Sequence, residues 1–225
     1  MFYFDEINGK KVLKSSVLDG VEHFFTTRGY GINDLGLKNL VHPTQTHSAN
    51  VGVAQVGKSD YPDTDGLILS NFEQVLYLNF ADCTPLIFYD YEKKIGAVSH
   101  AGWRGTASKI GVKTVEKMAV EFGSKPENIK CAIGPAISMC CYNVGEDVYN
   151  QLMNTVKNSN GLYDIRNGEI FVDLKVINKR QLEEIGLKEI DVCPYCTVCN
   201  NDLFYSYRKE NGTKLRHHAV LSNQI

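Results

Sequence analysis

Residues 75–122, VLYLNFADCTPLIFYDYEKKIGAVSHAGWRGTASKIGVKTVEKMAVEF, change hydrophobic period partway along, the mark of a sheet that runs directly into a helix. Val75-Leu76-Tyr77-Leu78-Asn79-Phe80, the run 86–89 and the run 95–99 are short, apolar and bounded by turn residues, as buried strands are. Val115, Met118, Ala119 and Phe122 then recur at i, i+3, i+4 and i+7, which predicts one helix over 106–122 with Gly123 as its stop. Outward from this centre, 21–26, 50–56 and 129–133 read as further strands, with a turn-rich stretch through Tyr61-Pro62-Asp63. A second helix is expected from Glu146, with Val148, Leu152 and Val156 on one face. A third is expected after an Asp173 cap, carrying Leu174, Ile177, Leu182 and Ile185 and ending at Gly186. Runs 203–208 and 215–221 flank Asn211-Gly212 and suggest a closing hairpin. Strands and helices mix without strict alternation, so the expected fold class is mixed α/β, with mixed sheets covered by helices. No repeat, linker or charge block divides the chain, and residues 1–225 are expected to form a single domain.

Composition narrows the function. The 225 residues are 43% hydrophobic and 22% charged, with 24 Lys+Arg against 26 Asp+Glu and a formal net charge of −2. A chain of this size buries a core without disulfide staples, and a near-neutral surface argues against nucleic acid or an anionic membrane as main partner. Seven cysteines is an odd number, and Met1-Phe2-Tyr3-Phe4-Asp5-Glu6 lacks the cationic-then-apolar form of an export signal. No window holds the roughly 18 uninterrupted apolar residues of a membrane span. The expectation is a cytoplasmic protein with reduced thiols.

Three segments offer a metal ligand beside a tight turn: Gln45-Thr46-His47-Ser48, Ala81-Asp82-Cys83-Thr84-Pro85 and Ser99-His100-Ala101-Gly102. Two imidazoles and one thiolate would leave a fourth zinc position open, as in catalytic sites. Cys83 alone reads first as a small buried apolar residue, as a lone cysteine at a strand end usually is. Gly102-Trp103-Arg104-Gly105-Thr106 leads into the first helix. Glycines, free N–H groups and a guanidinium there suit a phosphate or carboxylate, the plainer reading being a strand-to-helix turn with Trp103 packed and Arg104 in solvent. Cys193-Pro194-Tyr195-Cys196 and Cys196-Thr197-Val198-Cys199 are overlapping C-x-x-C motifs. They lie far from the start of any βαβ unit that a dithiol redox site needs, and with only three close thiols on offer they fall short of a second zinc site as well. Gly134-Pro135-Ala136-Ile137 reads as a turn, and Cys140-Cys141-Tyr142 as packing residues.

In order along residues 21–221, Gln45-Thr46-His47-Ser48-Ala49-Asn50-Val51, Ala81-Asp82-Cys83-Thr84-Pro85, His100-Ala101-Gly102-Trp103-Arg104-Gly105-Thr106, Gly134-Pro135-Ala136-Ile137 with Cys141-Tyr142-Asn143-Val144-Gly145, and Phe204-Tyr205-Ser206-Tyr207-Arg208 resemble the laccase-domain family. That family was once labelled multicopper polyphenol oxidases and is now described as purine nucleoside phosphorylases; it includes bacterial peptidoglycan editing factors. The resemblance implies a layered α/β/β/α sandwich, a Zn2+ held by His47, Cys83 and His100, and purine nucleosides with phosphate as small-molecule partners. Arg104 and Arg208 then become anion contacts, and Asp82 either a proton-transfer group or an orienter of its neighbour Cys83. Several positions depart from the family pattern and bear on substrate preference. Asn143 stands where Glu or Gln is usual, Lys209 where a second arginine is common, and Thr213-Lys214-Leu215-Arg216 where Thr-Gly-Arg-Met is usual; the stretch between Arg28 and His42 is short.

The resemblance also brings adenosine deamination, although no histidine here has Glu two residues on, as the usual deaminase signature requires. Two alternatives stand beside it. One is an editing hydrolase that removes misincorporated serine from cell-wall precursors, using Cys83 with His100 as thiolate and base or a zinc-bound water. The other is a non-enzymatic zinc-stabilised scaffold. Multicopper oxidation is excluded on ligand count: such centres need about ten histidines, and the chain has six with no His-x-His pair.

Overall fold

The computed structural model describes residues 1–71 and 73–222. Its elements are β1 (Phe2–Ile7), β2 (Lys10–Ser15), β3 (Glu22–Thr26), β4 (Leu40–Val41), β5 (Val51–Val53), β6 (Gly66–Leu69), β7 (Val75–Phe80), β8 (Thr84–Asp90), β9 (Ile95–Ala101), α1 (Trp103–Ala107), α2 (Ile110–Phe122), β10 (Ile129–Ile133), β11 (Asn143–Val144), α3 (Glu146–Met153), β12 (Tyr163–Arg166), β13 (Glu169–Val172), α4 (Leu174–Glu184), β14 (Glu189–Val192) and β15 (His217–Ser222). One six-stranded sheet has the order β1-β2-β3-β15-β7-β4 and a second the order β14-β10-β8-β9-β6-β5; β11-β13-β12 form a small third sheet. Both large sheets are mixed, because β4 runs parallel to β7, β5 to β6 and β14 to β10 while the remaining pairs are antiparallel.

The two large sheets pack face to face. Leu13, Phe25, Leu76, Leu78 and Leu221 of the first meet Leu67, Leu69, Ile87 and Val98 of the second in one core. On the other face of the second sheet, Ile68, Leu86, Phe88 and Cys131 pack under Ile110, Val115 and Met118 of α2 and Leu182 of α4. Strands β8 and β9 are therefore buried on both faces, and their near-continuous apolar sequences follow from that. The outer face of the first sheet, with Val12, Phe24 and Val220, is closed by Ile32 and Leu35 of a 3-10 helix, Ile32–Leu35. The α/β/β/α order holds, with this short turn as its fourth layer.

Several expectations are corrected. The single helix over 106–122 is two: Lys109 takes a left-handed φ of 57°, ending α1 and starting α2 in a new direction. Helix α3 stops at Met153, short of Val156. Asn211-Gly212 is a left-handed turn without a hairpin, and 203–208 is not a strand; β15 pairs instead with β3 and β7, in the centre of the first sheet. The β1–β2 and β12–β13 hairpins, turning at Asn8-Gly9 and Asn167-Gly168 with φ positive at all four residues, were not foreseen. The Asp173 cap is as expected, its carboxylate accepting from the Lys175 and Val176 N–H groups.

Candidate metal centre and cavity

The second sheet's β8–β9 end and the loops beside it bring His47, Cys83 and His100 together, with one ligand atom of each lying within 4.8 Å of the others. His100 is the penultimate residue of β9, paired in register with Pro85, so it sits beside the turn that presents Cys83. Asp82 turns that segment with a φ of 84°, a conformation that strains any residue but glycine. The strain is held by bonding on all sides: Thr197 Oγ1 donates to Asp82 Oδ1 at 2.5 Å, the Arg208 N–H to Oδ2 at 2.7 Å, and the Ile137 N–H to the Asp82 carbonyl at 3.0 Å. With both carboxylate oxygens so engaged, the geometry favours Asp82 as an orienter of Cys83.

Asp65, which the sequence reading did not single out, organises the other two ligands. Its side chain is fully buried and accepts from the backbone N–H groups of Thr46, His47 and Ser48 at 3.0, 3.1 and 2.8 Å. Three successive N–H groups converging on one carboxylate curl the loop and put His47 at a φ of 63°. The same carboxylate meets His100 Nδ1 at 2.7 Å, leaving Nε2 as the free imidazole atom. Burial works to raise the Asp65 carboxyl, but the bonds from His100 and Thr46 outweigh it and hold it far below the usual range. Burial works likewise to raise the Cys83 thiol, but His100 and His47 bring it down to about 6. The His100 imidazole, lowered by burial, is raised further by Cys83 and Asp65, to about 9. A thiolate facing two imidazoles, one of them oriented by a carboxylate, is the donor set of a borderline metal ion with its supporting partner. Gly102 completes the fit, since a Cβ there would stand 3.1 Å from both Cys83 Sγ and His47 Cδ2.

These ligands open into a cavity of about 700 Å³, a volume that suits a ligand of nucleoside size. Its wall includes Tyr142, Tyr207, Arg208 and Arg216, together with His42, Gln45 and Asn79. Burial and the nearby Cys83 push the Tyr142 hydroxyl up to about 12, so it stays a neutral donor. Arg208 donates to Asn143 Oδ1 at 2.6 Å, so the residue that departs from the family pattern helps to aim it. Arg104 stacks on Trp103 at 4.3 Å in a neighbouring depression that shares His47 with the main cavity. Arg216, which the sequence reading noted only as part of a departure from the family pattern, is the second guanidinium group on the wall of the main cavity.

The remaining histidines are dispersed. His23 is bonded to Val21 and Ser15, His42 packs on Tyr77, His218 bonds Asn79, and His217 lies between Phe80 and Phe204. Among the described residues no group of three or more histidines forms. The remaining cysteines are also grouped differently from the expectation. Cys193 is buried beneath Lys175, while Cys196 and Cys199 meet Cys140 and Cys141, which the sequence reading had assigned to packing.

A pair of face-packed mixed sheets flanked by helices, with a His-Cys-His group lining a cavity, defines a mixed α/β protein with a candidate metal-binding group. The chain belongs to the multi-copper polyphenol oxidoreductase laccase family, whose model matches residues 13–223. It is 34% identical over 196 residues to a purine nucleoside phosphorylase of Deinococcus radiodurans, covering 86% of this chain and 72% of that one. It is 36% identical over 152 residues to purine nucleoside phosphorylase YlmD of Bacillus subtilis, covering 66% of this chain and 55% of the relative's own length. Adenosine deaminase RL5, from an unknown prokaryotic organism, is 30% identical over 237 residues, covering 85% and 90%. The crystal structure of YlmD from Geobacillus stearothermophilus superposes with a TM-score of 0.90 at 27% identity over 99% of both chains. No helix among the described residues is long and apolar enough to cross a membrane.

Proposed function

We propose that the protein is a zinc-dependent purine nucleoside phosphorylase, cleaving adenosine, inosine or methylthioadenosine with phosphate to a free base and a sugar 1-phosphate. The observation that carries this reading is the His47–Cys83–His100 group opening into a nucleoside-sized cavity whose wall carries aromatic rings and two guanidinium groups. The names of the relatives support the purine nucleoside class. His47, Cys83 and His100 would hold the zinc, which supplies Lewis-acid polarisation of an oxygen at a fourth position. Tyr142 and Tyr207 offer faces for the purine ring, and Tyr142 keeps its proton to donate to the base as negative charge develops there. Arg208, aimed by Asn143, and Arg216 bind phosphate from the same wall, so attack on the sugar is bimolecular only until both substrates are seated. Asp65 and Asp82 position the ligands through their hydrogen bonds. We place the reaction in the cytoplasm and in one domain spanning residues 1–225.

Incubating the zinc-loaded protein with each nucleoside and phosphate should yield free base in proportion to sugar 1-phosphate; no product from any of them overturns the reading. Arg104 is a phosphate contact only for an anion lying in the depression beyond His47. Arg216→Ala should raise KM for phosphate about tenfold or more while Arg104→Ala leaves it within about twofold, as loss of one charged hydrogen bond implies. The reverse result moves the phosphate site to Arg104. Release of ammonia without phosphate would instead mark deamination, the activity named for RL5. The Cys83–His100–Asp65 array also favours a second reading, thiolate hydrolysis of cell-wall precursors: activity that survives chelation and dies on alkylation would select it.

A further inference from the structure

We propose that Cys140, Cys141, Cys196 and Cys199 form a second metal site, a tetrathiolate that binds a soft divalent cation of the zinc type and staples the cavity wall. One sulfur from each lies within 4.8 Å of the others, with Cys199 Sγ 3.6 Å from Cys140 Sγ and 3.5 Å from Cys141 Sγ. A zinc–sulfur bond of about 2.3 Å sets tetrahedral sulfurs about 3.8 Å apart, close to these separations. Four sulfurs and no oxygen ligand suit zinc over magnesium or calcium.

The backbone is arranged for thiolate as well. Cys196-Thr197-Val198-Cys199 is a tight turn in which the Val198 and Cys199 N–H groups point back at the Cys196 sulfur, and the Ser138 N–H joins them at 3.4 Å. These bonds support a negative sulfur at Cys196, whereas the Cys140 and Cys141 thiols are raised by burial and by their sulfur neighbours. One cation bound to all four would displace the remaining thiol protons to solvent, so uptake is coupled to proton release. Arg166 stands against the same turn, donating to the Met139 carbonyl at 2.5 Å, and offsets the excess negative charge of a tetrathiolate.

The two cysteine pairs come from segments far apart in sequence, joined by a bridge between Ala136 and Cys196 and by the Thr197 N–H to the Ala136 carbonyl at 3.1 Å. One segment continues into Tyr142; the other passes through Thr197, bonded to Asp82, toward Arg208. A cation held by both would pin the two sides of the cavity wall without touching the ligands of the first site.

The test is cobalt(II) titration of the full chain, reduced and stripped of metal. The wild-type protein should take up two equivalents. His47→Ala/Cys83→Ser should keep one, with the strong charge-transfer absorption of four thiolates, and Cys196→Ser/Cys199→Ser should keep one with the weaker absorption of a single thiolate. If the latter variant fails to fold, X-ray absorption of the zinc-loaded wild-type protein reads the same point: sulfur neighbours per zinc should exceed the one thiolate that the first site offers. No cobalt uptake by His47→Ala/Cys83→Ser overturns the proposal. So does a Cys140–Cys199 or Cys141–Cys199 disulfide in protein that, once reduced, binds no metal.

Discussion

Asp65 joins the two metal-ligand segments that lie farthest apart along this part of the chain, through the loop N–H groups around His47 and the imidazole of His100. Asp65→Asn keeps the shape but replaces one acceptor oxygen with an NH2 donor, which faces N–H groups that are themselves donors, and it weakens the hold on the His100 ring. Zinc affinity, measured by chelator competition, should fall roughly 10–100-fold, the usual cost of losing such a partner; unchanged affinity would remove Asp65 from that role. Of the site residues, His47, Cys83 and His100 are visible in the sequence because each sits beside a tight turn, while Asp82 and Arg208 come in through the family resemblance. Asp65 was not, since an aspartate in a turn-rich stretch looks like an ordinary solvated residue until the chain folds, and Arg216 was noted only as part of a departure from the family pattern.

At the scale of elements, β15 explains both a misreading and a pH dependence. Its six residues are all buried between β3 and β7, so His217 and His218 enter the fold with the strand. Burial, reinforced by the neighbouring His218, lowers His217 to about 3; burial and His42 lower His218 to about 4. Unfolded, both titrate near 6.5, so below that pH the unfolded chain binds more protons than the folded one. Their contribution is full above about pH 6.5 and is lost as pH falls toward 4, by up to about 1.4 kcal/mol per pH unit for each ring. Guanidinium midpoints should therefore drop between pH 7 and pH 5, and equal midpoints would count against the account. The same strand crosses β9 closely: a Cβ on Gly96 would stand 2.3 Å from Leu221 Cδ2. Gly96→Ala should cost about 1–3 kcal/mol of unfolding free energy by overpacking; a cost under about 0.5 kcal/mol would show that the sheets can separate there.

Across the whole molecule, the cavity depends on loops anchored from behind. Lys175, on α4, is buried and donates to the Cys193 and Tyr195 carbonyls at 2.7 and 3.1 Å, fastening the start of the segment that later carries Cys196, Thr197 and Arg208. Lys175→Met fills the space but leaves two carbonyls without a donor, so stability should fall by about 1–3 kcal/mol in chemical denaturation. A variant as stable as the parent would mean that the loop is held by other bonds alone.

Periodicity and turn chemistry are local, and they were enough for the strands Val75–Phe80 and Ile129–Ile133, for the Asp173-capped helix, and for the mixed α/β class. They failed where a distant partner chooses the outcome. The left-handed Lys109 breaks a helix whose apolar spacing is continuous, and β15 takes a central place in a sheet because β3 and β7 have edges to pair, not because Asn211-Gly212 forms a hairpin. The ligand residue types belong to the sequence as well, each carried by its own short motif. Their convergence does not: Asp65 with His100, Arg208 with Asp82 and the pair Cys140-Cys141 with Cys199 are 35, 126 and 58–59 residues apart along the chain, and only the packing of two sheets brings such groups within bonding distance.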